Sequence, residues 1–310
     1  MIINTGSRTD IPACYSEWFY NRIREGTVMV RNPYYPQQVT KYRLSPDVVD
    51  CLIFCTKNPE PMISRLEELN HYRQLWFVTI TPYGKEIEPN VPDKNQVMES
   101  FCRLSEVVGK KAVRWRYDPV FVTDQYSTAF HLEQFEKMAE RLHGYTNGCV
   151  ISFIDLYEKT KKNFSGVREV GKEDRMKMGE AFARIGKKHG MTIYSCCEGT
   201  ELEQFGVNCT GCMTKEVIER AIGEQLSVPK KGKPAREGCS CLLGGDIGAY
   251  NTCTNGCIYC YANYDQETVK RNRKLHDKNS AFLIGRARIE DEVREAKQES
   301  WLDGQLSLPL

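Results

Sequence analysis

Cys253, Cys257 and Cys260 form a CxxxCxxC run, with Asn255 and Gly256 marking a tight turn between the first two cysteines. Three thiolates at that spacing suit three corners of a cubane iron–sulfur cluster and leave the fourth iron open to a small molecule. Structural zinc takes four protein ligands, commonly as CxxC pairs, and fits this run less well. Six more cysteines lie just upstream: the Cys196-Cys197 doublet, Cys209 with Cys212, and Cys239 with Cys241. They supply ligands enough for a second centre, either another cluster or a four-cysteine zinc site.

The chain of 310 residues carries 14 cysteines, most of them between Cys196 and Cys260. No apolar run approaches the roughly 18 residues of a membrane span, and the opening residues lack the basic flank and apolar core of a signal peptide. The expectation is a cytoplasmic protein with no membrane partner, in which cysteines serve metal and not disulfides. Left as free thiols, so many close neighbours would be an oxidation liability. A hydrophobic fraction of 41% and a charged fraction of 27% exclude disorder and collagen. The net charge of +2 gives no chain-wide argument for a polyanion partner.

These residues need a scaffold, and the pattern upstream is one of alternating strands and helices. Strands are predicted at Ile2-Asn4, Cys51-Cys55, Leu75-Ile80, Ala112-Arg116, Cys149-Ile154 and Met191-Ser195, where β-branched and aromatic residues concentrate. Between them, Met62, Leu66 and Leu69, then Val97, Phe101, Leu104 and Val108, then Leu132, Phe135, Met138 and Leu142, and finally Met178, Phe182 and Ile185 keep helical spacing. Gly109, Gly144 and Gly190 fall where those patterns stop. Repeated strand-then-helix units imply an α/β fold with a parallel sheet, either doubly wound or a partly closed barrel. Val28-Val30 and Val39-Leu44 read as a β-excursion after the first helix. Pro229 to Arg236 reads as a basic loop and the tail from Asp265 as helical, with no clear pattern from Gly304 to Leu310.

In parallel βα folds chemistry gathers at the carboxyl ends of the strands, and here those ends are polar. Arg8, Lys57, Arg114 and Arg116 suit an anionic group; Asp10, Asp118 and Asp155 suit ribose hydroxyls or an ammonium. The competing reading makes them loop residues, helix caps or mutual salt bridges.

CxxxCxxC with Tyr259 before its last cysteine resembles the cluster motif of radical S-adenosylmethionine enzymes, and Cys257-Ile258-Tyr259-Cys260-Tyr261-Ala262 is similar to the spore photoproduct lyase branch. The whole chain resembles an uncharacterised domain-of-unknown-function family through Ser7-Arg8-Thr9-Asp10-Ile11-Pro12, Arg31-Asn32-Pro33, Thr56-Lys57-Asn58-Pro59, Trp115-Arg116-Tyr117-Asp118-Pro119 and Asp246-Ile247-Gly248-Ala249-Tyr250. The resemblance implies a partial (β/α)6 TIM-like barrel over residues 1–195, a cysteine-rich iron–sulfur region over 196–264 and a helical tail over 265–310. It implies a [4Fe-4S] cluster on Cys253, Cys257 and Cys260, with Tyr259 against the adenine of S-adenosylmethionine and Asp155 and Glu198 also on the cofactor. It implies an auxiliary [4Fe-4S] cluster on Cys196, Cys212, Cys239 and Cys241, with Cys197 or Cys209 as substitutes. The Gly-Gly-Glu-like stretch of such enzymes has no counterpart after the second strand; Gly244-Gly245-Asp246 is close in letters but precedes the cluster and reads as a turn.

The leading expectation is thus a radical enzyme with Arg8, Asp10, Lys57, Arg116 and Asp118 as catalytic rim, acting on a small-molecule or nucleotide-like substrate and reduced by a flavodoxin or ferredoxin. The alternatives are an iron–sulfur electron-transfer protein and a zinc-stabilised nucleic-acid-binding protein. Both centres are expected on the carboxyl-end side of the sheet.

Overall fold

The computed structural model describes residues 1–229 and 238–303. The expected basic loop from Lys230 to Arg236 and the stretch Gly304 to Leu310 lie outside the described residues. The strands are β1 (Ile2–Asn4), β2 (Thr27–Arg31), β3 (Gln38–Arg43), β4 (Cys51–Thr56), β5 (Gln74–Thr79), β6 (Val113–Val120), β7 (Gly148–Phe153), β8 (Thr192–Ser195), β9 (Gly245–Asp246) and β10 (Glu292–Glu295). The helices are α1 (Ile11–Glu25), α2 (Glu60–Ile63), α3 (Lys94–Val108), α4 (Thr128–Arg141), α5 (Glu158–Asn163), α6 (Lys172–Lys188), α7 (Lys215–Ile222) and α8 (Gln266–Arg273). The expected helix after Pro59 is only the single turn α2 and a 3-10 turn over Leu66–Leu69, because Arg65 between them leaves helical geometry at φ −128.

The main sheet is parallel, in the order β8-β7-β6-β5-β4-β1-β9. From β1 to β8 its strands neighbour one another in chain order, whereas a doubly wound sheet reverses direction at a switch point. Right-handed crossovers in one direction place the repeat helices on one face. The sheet is nevertheless open, with β8 and β9 as its edges, so it does not close into a barrel.

Side-chain alternation separates the faces. Leu52, Phe54, Trp76, Val78, Trp115 and Ile151 point to the helices and meet Phe19, Phe101, Phe135 and Phe182. Phe54 stacks on Trp76 at 3.9 Å between ring centroids, and Phe135 lies 4.7 Å from Trp115 and 4.1 Å from Phe182. Burying each of these rings is worth about 2–3 kcal/mol. The opposite face presents Ile2, Ile53, Leu75, Phe77, Val150 and Tyr194, and its cover comes from Cys212, Met213, Val217, Ile218 and Leu226. The cysteine-rich region is therefore one layer of the fold, packed on the sheet that residues 1–195 build.

Gly244-Gly245-Asp246, expected as a turn, supplies strand β9 beside β1, with Ile3 opposite Gly245 and Asn4 opposite Asp246. A side chain at Gly244 would begin 2.2 Å from the Ile2 carbonyl oxygen, and its φ of +62 also favours glycine. The expected β-excursion is the antiparallel hairpin β2-β3. The tail departs from the helical expectation after α8: β10 pairs in parallel with β3, because that hairpin edge offers unpaired backbone groups. No helix among the described residues is long and apolar enough to cross a membrane.

Candidate metal centres

The CxxxCxxC loop rests on the connections that follow β1, β4 and β5, at their carboxyl ends. Asp10 caps α1 by accepting from the Ala13 N–H at 3.0 Å. Its other oxygen accepts from the Lys57 N–H at 2.8 Å and the Asn255 amide at 2.9 Å, which fastens the loop to two strand ends at once. Asn90 donates to Thr254 O at 2.8 Å, Ile258 N–H to Ile87 O at 3.0 Å, and the Tyr261 hydroxyl to Ser7 O at 2.6 Å. Cys253 is buried, while Cys257 and Cys260 are half-buried. Burial pushes the Cys257 thiol up to about 12 and raises Cys260, against the pull of Lys57 on both. Ala262 N–H donates to Cys260 Sγ at 3.4 Å. Burial raises a neutral thiol, and a bound metal replaces its proton.

A buried carboxylate organises the other side of this loop. Glu88 accepts from Lys57 at 2.6 Å, from the Thr81 hydroxyl at 2.7 Å, and from Lys94 and the Tyr259 hydroxyl. Burial alone would raise its pKa, yet the two ammonium groups hold it down to about 2. Tyr259 is thereby fixed by its hydroxyl, with Lys57 over its ring at 5.5 Å. Edge contacts to Tyr83 complete its surroundings.

The second cysteine group is assembled from three distant segments. Cys196 follows β8, Cys212 precedes α7, and Cys239 and Cys241 lie in the irregular segment that leads to β9. Cys212 Sγ lies 3.4 Å from Cys196 Sγ and 3.4 Å from Cys241 Sγ, and Cys239 shares a hydrogen bond with Cys241. Hydrogen bonding to Cys212 lowers the Cys241 thiol to about 6, while the same bonds and burial raise Cys212. Leu242 N–H donates to Met213 O at 2.8 Å, drawing the two segments together. Gly211 is required here: at φ +124, a Cβ would lie 2.6 Å from the Ser240 hydroxyl. Cys209, the proposed substitute, packs toward the helix-covered core and donates to Val207 O, away from this group.

Arg116 stands between the two groups. Its guanidinium pairs with Asp118, lies over the Phe77 ring at 5.9 Å and neighbours Cys55, Cys196 and Cys212. Its Nε is buried without a hydrogen-bond partner. A buried cation with an unused donor beside several thiols fits a centre whose sulfurs are ionised. Among the described residues, however, no three His, Cys, Asp or Glu side chains stand posed around one point. The donor set suits metal; its arrangement is that of thiols touching one another.

The structure brings Arg8, Asp10, Lys57, Arg116 and Asp118 to the same end of the sheet, each already partnered. Arg8 pairs with Asp246 at 3.1 Å, and Tyr261 neighbours Cys260, Arg116 and Asp246. Glu198 is committed to Ser152 and Phe153 N–H, both at 2.8 Å, and to Arg175 at 2.9 Å, so it ties the ends of β7 and β8 to α6. Asp155 is exposed nearby. Arg114 lies deeper, over Tyr194 at 5.3 Å. Sequence reasoning missed Glu88, Lys94 and Cys14, whose thiol is hydrogen-bonded to Cys253 and lies 3.3 Å from the Thr254 hydroxyl. No motif marks Glu88 or Lys94, and Cys14 is one of the cysteines scattered over the first half of the chain.

The chain belongs to a family described as a domain of unknown function (DUF1848), which matches residues 2–262 and so includes both cysteine groups and every rim residue. No curated protein and no solved structure matches the chain.

Proposed function

We propose that this family member is a radical S-adenosylmethionine-type iron–sulfur enzyme. Cys253, Cys257 and Cys260 would hold a [4Fe-4S] cluster with one open iron, and Cys196, Cys212, Cys239 and Cys241 a second, fully protein-ligated cluster. The observation that supports this reading most is the approach of Cys196, Cys212 and Cys241 from distant segments, in a chain that also holds a three-cysteine loop at the carboxyl ends of a parallel sheet wound in chain order. When bound, such a cluster would supply one electron for cleavage of a carbon–sulfur bond of S-adenosylmethionine, giving methionine and a 5′-deoxyadenosyl radical able to take a hydrogen atom from a substrate.

The chain's own groups hold this arrangement rigid. Asp10 and Asn255 fix the first turn of the cysteine loop, and Glu88 with Lys57 and Lys94 fixes Tyr259 beside the third cysteine. Arg8, Asp246, Arg116 and Asp118 make a charged rim whose paired geometry orients a polar substrate with little reorganisation. Electrons would come from a small reducing partner such as flavodoxin or ferredoxin.

Anaerobic purification with iron, sulfide and zinc analysis, followed by reduction with dithionite in the presence of S-adenosylmethionine, tests the reading. It expects brown protein with about eight irons per chain and release of 5′-deoxyadenosine. Brown protein that never cleaves S-adenosylmethionine would leave only the electron-transfer reading. Colourless zinc protein would overturn both.

A further inference from the structure

Beside the cysteine loop opens a cleft of about 880 Å³ that shares Arg8 with the charged rim and Tyr261 with the loop, and is otherwise lined by residues without a role so far. Its walls come from four separate places: Arg31 to Pro36 of the β2-β3 hairpin, the start of α5, the Ile247–Thr252 segment, and the Phe282–Gly285 return of the tail. Two of the segments that carry the family resemblance, Arg31-Asn32-Pro33 and Ile247-Gly248-Ala249-Tyr250, therefore both line it. Tyr261 forms part of its wall, directly after Cys260, so the cleft adjoins the three-cysteine loop.

The lining combines two chemistries. Tyr34, Tyr157, Tyr250 and Tyr261 contribute aromatic surface, and three of them expose much of it, with Tyr34 at 82%, Tyr157 at 43% and Tyr261 at 49%. Solvent-facing rings at this density are costly to keep wet and serve as stacking platforms. The charged lining residues are Arg8, Arg31, Lys159 and Arg288 against Glu158. Arg8 and Arg31 have carboxylate partners in Asp246 and Asp291; Lys159 lies 5.3 Å from the Tyr250 ring centre with Cys260 as a neighbour, and the exposed Arg288 shares Asp291 with Arg31, so the cations of the lining outnumber its carboxylates. The volume is within the range of small-molecule sites and exceeds what one planar ring fills.

We infer that this cleft binds a nucleotide, stacking its base on the exposed tyrosines and setting its phosphate against Lys159 and Arg288. A planar ring takes the tyrosine faces and an anion takes the cations; a nucleotide carries both within a few ångströms. Such a ligand is available free or within a single strand, and both sources offer the same base and phosphate. This inference rests on the proposed function for its catalytic meaning, since it makes the cleft the substrate subsite, but nucleotide binding itself is independent of radical chemistry.

Calorimetric titration of the purified full-length protein, with saturating S-adenosylmethionine to fill any adenine site at the cluster, tests it. The probes are thymidine 5′-monophosphate, ribose 5-phosphate, inorganic phosphate and an eight-base oligothymidylate. Thymidine 5′-monophosphate should bind at least tenfold more tightly than ribose 5-phosphate or phosphate. Tyr34→Ala, at an exposed position, should weaken it roughly five- to tenfold, and Lys159→Ala should flatten its salt dependence. An oligonucleotide that binds much more tightly than the monomer identifies the strand as the source, and equal affinity identifies the free nucleotide. Equal binding of all phosphates, or full nucleotide affinity in Tyr34→Ala, would overturn the inference. Nucleotide binding without S-adenosylmethionine cleavage would sink only the radical reading, and cleavage without nucleotide binding only this one.

Discussion

The two cysteine groups differ in what surrounds them. Cys196, Cys212 and Cys241 lie against the sheet face of Ile53, Leu75, Phe77 and Val150, with one guanidinium nearby and little else that is charged. Cys253, Cys257 and Cys260 lie among Asp10, Lys57, Glu88 and Lys94, nearly all of them paired. The first group is a roof: its cysteines come from three segments and meet over the sheet, Cys196 and Cys212 buried and Cys239 and Cys241 half-buried. The second is a shelf, three sulfurs on one short loop held in place by groups outside the loop. A centre that glues segments contributes to stability, and a centre held by its surroundings is free to spend its fourth position on chemistry.

The sharpest way to break this comparison is to remove the shelf. Replacing Cys253, Cys257 and Cys260 by Ala should abolish S-adenosylmethionine cleavage and remove about four irons per chain, while thermal unfolding moves by only a few degrees. Unchanged iron content would end the assignment. Removing the roof should act the other way: Cys212→Ala, taken from the thiol that touches both Cys196 and Cys241, should lower the melting temperature by roughly 10 °C or more. Elemental analysis of that variant also tells iron from zinc, since the metal lost is the metal the roof held. A Cys212→Ala protein with full metal and unaltered melting would show that the group carries no metal.

A smaller effect isolates the charges around the shelf. Glu88 is held at about 2 in the folded protein, below the ordinary 4.5. A depressed carboxylate stabilises the fold above its unfolded pKa, and this contribution disappears as pH falls from about 4.5 toward 2. The difference corresponds to on the order of 3 kcal/mol. Glu88→Gln should therefore lose stability at neutral pH, where it strands two buried ammonium groups, and show a flatter acid-unfolding profile between pH 5 and 2. Denaturant melts at several pH values that match the parent throughout would refute the role of Glu88.

The scaffold was legible because its signals are local. Cys51-Cys55 and Cys149-Ile154 are apolar runs that a buried parallel strand requires, and the strands form within a residue or two of those bounds. Cys196, Cys212, Cys239 and Cys241 were grouped through resemblance alone; the thiol contacts of Cys212 agree with that grouping without showing a metal, and Gly211 adds a local reason for the approach. What escaped was partnership across the chain. Glu88 and Tyr259 are 171 positions apart, and Cys14 and Thr254 are 240 apart, so no periodicity links them. The rim residues lie at one end of the sheet, where the competing reading of caps and salt bridges also holds: Asp10 caps α1 and Arg116 pairs with Asp118, while the partners of Arg8 and Lys57, Asp246 and Glu88, were not read from the sequence. β9 and β10 escaped for a related reason: one two-residue segment with a glycine and one exposed, mostly charged segment become strands only because an edge is waiting for them.

That waiting has a consequence for biosynthesis. Ser7 donates its N–H to Asp246, 239 positions later. At about 5–20 residues per second, the ribosome takes roughly 12–50 s to deliver that partner. Throughout this interval the nascent chain can pair β1 with β4, but its outer edge stays bare, Arg8 lacks its carboxylate, and Asp10 lacks Asn255. Both sulfur groups are also completed last, by residues beyond Cys239. On the proposed reading metal delivery would then be the final step of maturation, and the open strand edge that waits for β9 is the point where a chaperone has most to protect.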